Sequence, residues 1–167
     1  MVAHVGFGHP VCSRLGKVLE ECAKALDIKT VRGGTYLAME GPQFSTLAES
    51  KLYKSWGCDV IGMTNMPEAK LAREAEICYA TVAMVTDFDC WHPNHEHVTV
   101  DAIIKILLGN ADNASSLVKH VVPKLSDRIE ICSEGCHRAL ENALITSPEA
   151  RDPEILAKLD AVAGRLL

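Results

Sequence analysis

The chain has 167 residues, 48% of them hydrophobic and 23% charged, enough for one globular domain with a substantial core. A net charge of −5 and a pI near 5.8 exclude the broad basic field that nucleic-acid or anionic-membrane binding needs. The longest apolar runs fall far short of the about 20 residues of a membrane span, and no charged-then-apolar leader is visible.

Along the chain, residues 1–10 have no clear period and read as an irregular lead-in whose Gly6-Phe7-Gly8 is a turn. Leu15, Val18, Leu19, Cys22, Ala23 and Leu26 recur at helical spacing and predict a helix over 13–26, with Ser13 as its cap. A short strand at 35–39 breaks at Gly41-Pro42, because proline cannot continue a ladder. Thr46 and Glu49 fit a capping box for a helix reaching Trp56, and Gly57 stops it.

Residues 58–63 read as a second strand, and Pro67 as the first residue of the next helix, with Glu68 in its first turn. Residues 77–86 are apolar on both sides, which predicts a third, central strand. A polar loop at 92–97 precedes a helix over 99–119, weakened at Gly109 and ended by Pro123. Another helix is expected at 127–144, and Asp152-Pro153 opens a last one through Ala163. Strands alternating with helices predict an α/β fold, a layered mixed β-sheet flanked by helices.

The three strand candidates are each followed by a loop bearing polar or aromatic groups, where open α/β sheets bind ligands. In Thr86-Asp87-Phe88-Asp89-Cys90-Trp91, carboxylates two residues apart share a face if the strand persists that far. Two carboxyls that close can share one proton, accepting from an amino group while donating to a ring nitrogen. A 6-aminopurine edge offers that pair of partners. An ordinary Asp-rich turn satisfies the same spacing, and a metal site there lacks a full ligand set. Thr64 and Asn65 stand just before a helix start and suit either a phosphate or a capping turn. Phe44 could stack on a base or fill the core.

Taken together, Glu40-Gly41-Pro42-Gln43-Phe44-Ser45, Glu49-Ser50, Trp56-Gly57-Cys58-Asp59-Val60-Ile61-Gly62-Met63-Thr64, Pro67-Glu68 and Thr86-Asp87-Phe88-Asp89-Cys90-Trp91 closely resemble the methylthioadenosine phosphorylase branch of the nucleoside phosphorylases. The match runs in order over about residues 39–100, with weaker similarity back to His4 and through the long helix. Members acting on 6-oxopurines carry Asn where this chain has Asp87, so the resemblance implies an aminopurine substrate.

It implies phosphorolysis of 5′-methylthioadenosine, with inorganic phosphate as co-substrate and no cofactor. Asp87 would share a proton with purine N7 as the ring leaves, and Asp89 would support the 6-amino contact. Phe44 would stack on the purine, with Ser45 and Phe88 near the base, Met63 against the ribose and Thr64 on phosphate. Val100 falls where the family places an apolar residue linked to the 5′-alkylthio preference. His4 aligns with a histidine that reaches a neighbouring subunit's 5′ pocket in a homotrimer. By the same resemblance, residues 1–167 form the C-terminal, purine-binding portion of a single, incomplete domain, without the glycine-rich phosphate loop. An uncovered sheet edge, exposed apolar surface and little activity of the chain alone are then expected. A phosphorylase of broader purine range and a non-catalytic adenine-nucleoside binder are the alternatives.

Seven cysteines, an odd number without Cys-x-x-Cys, read as small buried thiols of a reduced, cytoplasmic protein. Neither Cys132, Cys136 and His137 nor His92, His95 and His97 has a familiar zinc spacing. Surface or capping roles are expected of both groups, and no metal.

Overall fold

The computed structural model describes residues 1–92, 100–126 and 131–167. They form α1 (Ser13–Ala25), β1 (Tyr36–Ala38), α2 (Leu47–Ser55), β2 (Val60–Gly62), α3 (Glu68–Glu74), α4 (Val100–Ser126) and α5 (Pro153–Ala163). The chain divides into two compact units: residues 1–17, 66–81 and 129–167 make one, and 18–65 with 82–128 the other.

The second unit holds the sheet. β1 and β2 pair in parallel, Tyr36 opposite Val60 and Ala38 opposite Gly62, and α2 supplies the crossover that parallel strands require. Asp59 aligns the two starts: its carboxylate accepts the Thr35 N–H at 2.7 Å while its own N–H donates to Thr35 O at 2.9 Å. The predicted capping box is present. Glu49 N–H donates to Thr46 Oγ1, and the Glu49 carboxylate accepts from the Thr46 N–H. Those Thr46 contacts, backbone first, hold the Glu49 carboxyl below its ordinary range. Gly57 then leaves the helix at φ 77°, a conformation that favours glycine. Val18, Cys22 and Ala23 of α1 close with Leu117 and Val121 of α4 into a small buried core.

Several expected elements differ from the structure. Residues 77–86 form no strand, and Val82, Met84 and Val85 lie exposed. Asn110 Nδ2 donates to Val85 O at 3.0 Å where a neighbouring strand would have paired. α4 runs through both Gly109 and Pro123 to Ser126. A glycine costs a helix only about 1 kcal/mol, and Pro123 forgoes a single N–H bond with three helical residues left beyond it. The helix expected at 127–144 is absent from its described part, where a 3₁₀ turn spans Cys136–Arg138 instead (127–130 lie outside the described residues). Ser13 lies inside α1 rather than capping it. Glu134 caps that end, accepting the Ser13 N–H at 2.7 Å and the Arg14 N–H at 3.1 Å.

The first unit has two cores. Leu140, Ala143 and Ala163 close one, with Val5, Leu166 and Leu167 packed against it. Beside it Glu76 takes a two-pronged contact from Arg165, at 2.7 and 2.9 Å from Nη2, and the Leu140 N–H at 3.0 Å. The other core is made of sulfur. Cys12, Cys132 and Cys136 are buried with Cys78 and Leu15 against them, so the surface or capping roles expected of Cys132 and Cys136 are not what the chain uses. Burial pushes the Cys12 thiol up to about 11 and Cys136 upward as well. Burial also raises Cys132, but hydrogen bonds from the Cys136 and Glu134 backbone and from the Cys78 and Cys136 thiols outweigh it and bring that thiol down to about 6.

Among the described residues no helix is long and apolar enough to cross a membrane. Ile104, Ile106, Leu107 and Leu108 of α4 nonetheless lie 40% to 64% exposed, the uncovered apolar surface expected from the sequence.

Candidate functional site

Parallel pairing brings the chain leaving β1 and the chain leaving β2 to one edge, which is where an open α/β sheet binds. The two loops are fitted to each other. Gly41 sits at φ 71°, and a Cβ placed on it would come within 2.7 Å of Met63 Sδ. Only glycine lets the thioether lie across that turn. Tyr36 from β1 packs over Gly62 of β2, and its hydroxyl lies 3.2 Å from Thr64 Oγ1, within hydrogen-bond distance.

The third loop joins the first through a buried hydroxyl. Ser50 is 2% exposed, donates to Asp89 Oδ2 at 2.6 Å and lies 3.0 Å from Ser45 Oγ. Asp89 also accepts its neighbour's Cys90 N–H at 2.7 Å. Asp87 has different partners, the Thr86 hydroxyl at 2.7 Å and the Asp89 N–H at 2.9 Å. Residues 77–86 form no strand and Asp89 adopts φ 55°, so the carboxylates do not project as an i, i+2 pair. A turn closed by the Asp87 carboxylate replaces the extended chain, a local hydrogen bond that aspartate readily makes.

Met63 with Gly41, Thr64 with Tyr36, and Ser45 with Asp89 through Ser50 are therefore brought together. Phe44 stands 85% exposed on its turn, and Phe88 is exposed with its ring 5.0 Å from that of His92. His4 belongs to the other unit, where its N–H donates to Ala143 O at 2.8 Å. Val100 opens α4, and its side chain lies outside what is described, as do His95 and His97. α3 begins at Glu68, one residue later than expected, and has seven residues.

Sequence reasoning gave no role to Tyr36 or Ser50. A strand tyrosine facing a glycine on its neighbour is a readable signal for the first. Ser50 sits among polar residues of α2, and only tertiary structure shows its burial. Among the described residues the potential metal ligands that gather are Cys12, Cys78, Cys132 and Cys136, all in the first unit.

A sequence profile of the phosphorylase superfamily matches residues 2–123. The chain is 64% identical over 167 residues to a Rhodospirillum rubrum protein named S-methyl-5′-thioadenosine phosphorylase, covering all of this chain and 57% of that protein. A Cereibacter sphaeroides protein of the same name is 63% identical over 166 residues, covering 99% and 57%. Among solved structures, a methylthioadenosine phosphorylase from an Antarctic soil metagenomic library superposes with a TM-score of 0.86 at 46% identity, covering 96% of this chain and 56% of that one. A double mutant of the adenosine/methylthioadenosine phosphorylase of Schistosoma mansoni, in complex with adenine, gives 0.72 at 30% identity over 83% and 55%. The chain thus spans just over half the length of the relatives it matches.

Proposed function

Because the chain belongs to the phosphorylase superfamily, we propose that it carries the purine-binding portion of an enzyme that cleaves 5′-methylthioadenosine with phosphate into adenine and 5-methylthioribose 1-phosphate. The observation that carries this reading is the meeting of the two sheet-edge loops with the Asp87–Asp89 turn through Gly41, Met63, Ser45 and Ser50. The names of the relatives supply the substrate.

Phosphate attacks C1′ as the bond to purine N9 breaks, through a state of oxocarbenium character. The purine leaves poorly as an anion. Asp87 shares a proton with N7, help of a kind typically worth about 10²- to 10⁴-fold. Asp89 keeps lone pairs beyond those taken by Ser50 and Cys90, because a carboxylate accepts at about four positions. One of these supports the 6-amino contact. Phe44 stacks on the base, Ser45 and Phe88 border it, Met63 packs on the ribose and Thr64 binds phosphate. Val100 lies against the 5′-thiomethyl group, and His4 serves the 5′ pocket of a neighbouring subunit in a cytoplasmic homotrimer.

The relatives' remaining length has no counterpart in this chain, and we place the other phosphate ligands there. Alone, the 167 residues then turn over little substrate. Joining them to the unmatched portion of the Rhodospirillum rubrum relative restores turnover. The completed protein uses 5′-methylthioadenosine in preference to adenosine and leaves inosine untouched. Equal use of inosine, or a preference for adenosine, in an assay of base release contradicts the substrate assignment.

A further inference from the structure

The sulfur core of the first unit is outside the chemistry just described. Cys12 precedes α1, Cys78 lies four residues beyond the end of α3, and Cys132 and Cys136 flank the Gly135 turn. Three distant stretches of chain thus deliver four thiols to one point, with every Sγ within 4.8 Å of the others.

We propose that Cys12, Cys78, Cys132 and Cys136 bind one zinc ion in a closed, structural tetrahedral site. Zinc–thiolate bonds of about 2.3 Å place the sulfurs of such a site about 3.8 Å apart. Cys12 Sγ and Cys132 Sγ stand 3.7 Å apart. A disulfide would instead draw two sulfurs to about 2 Å, and all four cysteines are free.

The surroundings suit thiolate ligands. Cys132 sulfur receives the backbone N–H groups of Glu134 and Cys136, and Cys12 sulfur receives that of Leu15 at the start of α1. Outer hydrogen bonds of this kind orient metal ligands and hold their charge. One zinc with four thiolates carries a residual double negative charge. Arg14 answers it in part: Nη2 is 3.8 Å from Cys78 Sγ, while its buried Nε has no protein partner. A guanidinium half-sunk beside four neutral thiols would gain much less.

Four Zn–S bonds form, the four thiol protons leave to solvent and nothing is oxidised. The ion ties the start of α1 and the end of the α3 segment to the irregular stretch around residues 131–144. That stretch has no α-helix of its own.

The test is the metal content of the 167-residue chain, expressed with zinc and purified under reducing conditions without chelator. The expected result is about one zinc per chain by elemental analysis. A Cys132→Ser/Cys136→Ser variant should fall below about a tenth of that, while Cys58→Ser keeps it. Should the double variant precipitate, cobalt(II) titration of the metal-stripped, unsubstituted chain decides. Intense visible bands of tetrahedral thiolate coordination, bleached by added zinc, are expected. Trace zinc with no cobalt bands, iron in place of zinc, a disulfide among the four in freshly prepared protein, or equal zinc in the double variant would each overturn the site. None of these readouts depends on phosphorolysis.

Discussion

Gly41 shows how one residue sets the geometry of the loop that leaves β1. Its φ of 71° is strained for any other L residue, and Met63 Sδ occupies the space a Cβ would need. Gly41→Ala should therefore cost about 1–3 kcal/mol in a denaturant melt, through the positive φ and the displaced methionine together. An unchanged midpoint would mean that Met63 does not lie across the turn. The proposed site residues were legible here in different degrees. Phe44, Met63, Thr64, Asp87 and Asp89 stood in a motif order that resembled a family, whereas the turn that separates the two carboxylates did not. Asp89 at φ 55° and the bond from its N–H to Asp87 belong to a turn that follows chain with no strand. Residue spacing carries no record of that. Ser50 was invisible for the same reason, since nothing local marks one serine of a polar helix as buried.

At the level of elements, what is local was readable and what is paired was not. α2 was readable to within a residue because its capping box and Gly57 are short-range signals. Thr46→Ala should cost about 1 kcal/mol of stability near neutral pH. Because the Glu49 carboxyl is held below its ordinary range by Thr46, the folded state gains from the ionised box above that range. The gain is lost as pH falls through the lowered value, so the gap between variant and parent should narrow in acid. A gap that widens in acid in paired thermal melts would contradict this capping role. The strand expected at 77–86 needs neighbours to become one, and its apolar character reports burial without saying against what. The helix expected at 127–144 failed for a different reason. Cys132, Cys136, Leu140 and Ala143 repeat at helical spacing and are all buried, but the period belongs to a sulfur cluster and a small core. Gly135 at φ 70° and Asn142 at φ 62° turn the chain between them.

For the whole molecule the decisive fact is proportion. Among the described residues there is a two-stranded parallel sheet and α4 carries exposed apolar side chains, and the chain spans 57% of its relatives in Rhodospirillum rubrum and Cereibacter sphaeroides. The α/β class and the sheet-edge loops were legible because these strands and helices alternate; the extent of the sheet was not, since the apolar run at 77–86 forms no third strand. The central claim is that the edge presents Asp87 to the ring of a departing aminopurine. Phosphate-dependent release of adenine from 5′-methylthioadenosine tests it most directly, comparing the completed protein with its Asp87→Ala variant. The account expects the variant to fall by about 10²-fold or more in kcat, with phosphate still required. Adenine release by the variant at the parent's rate would contradict it.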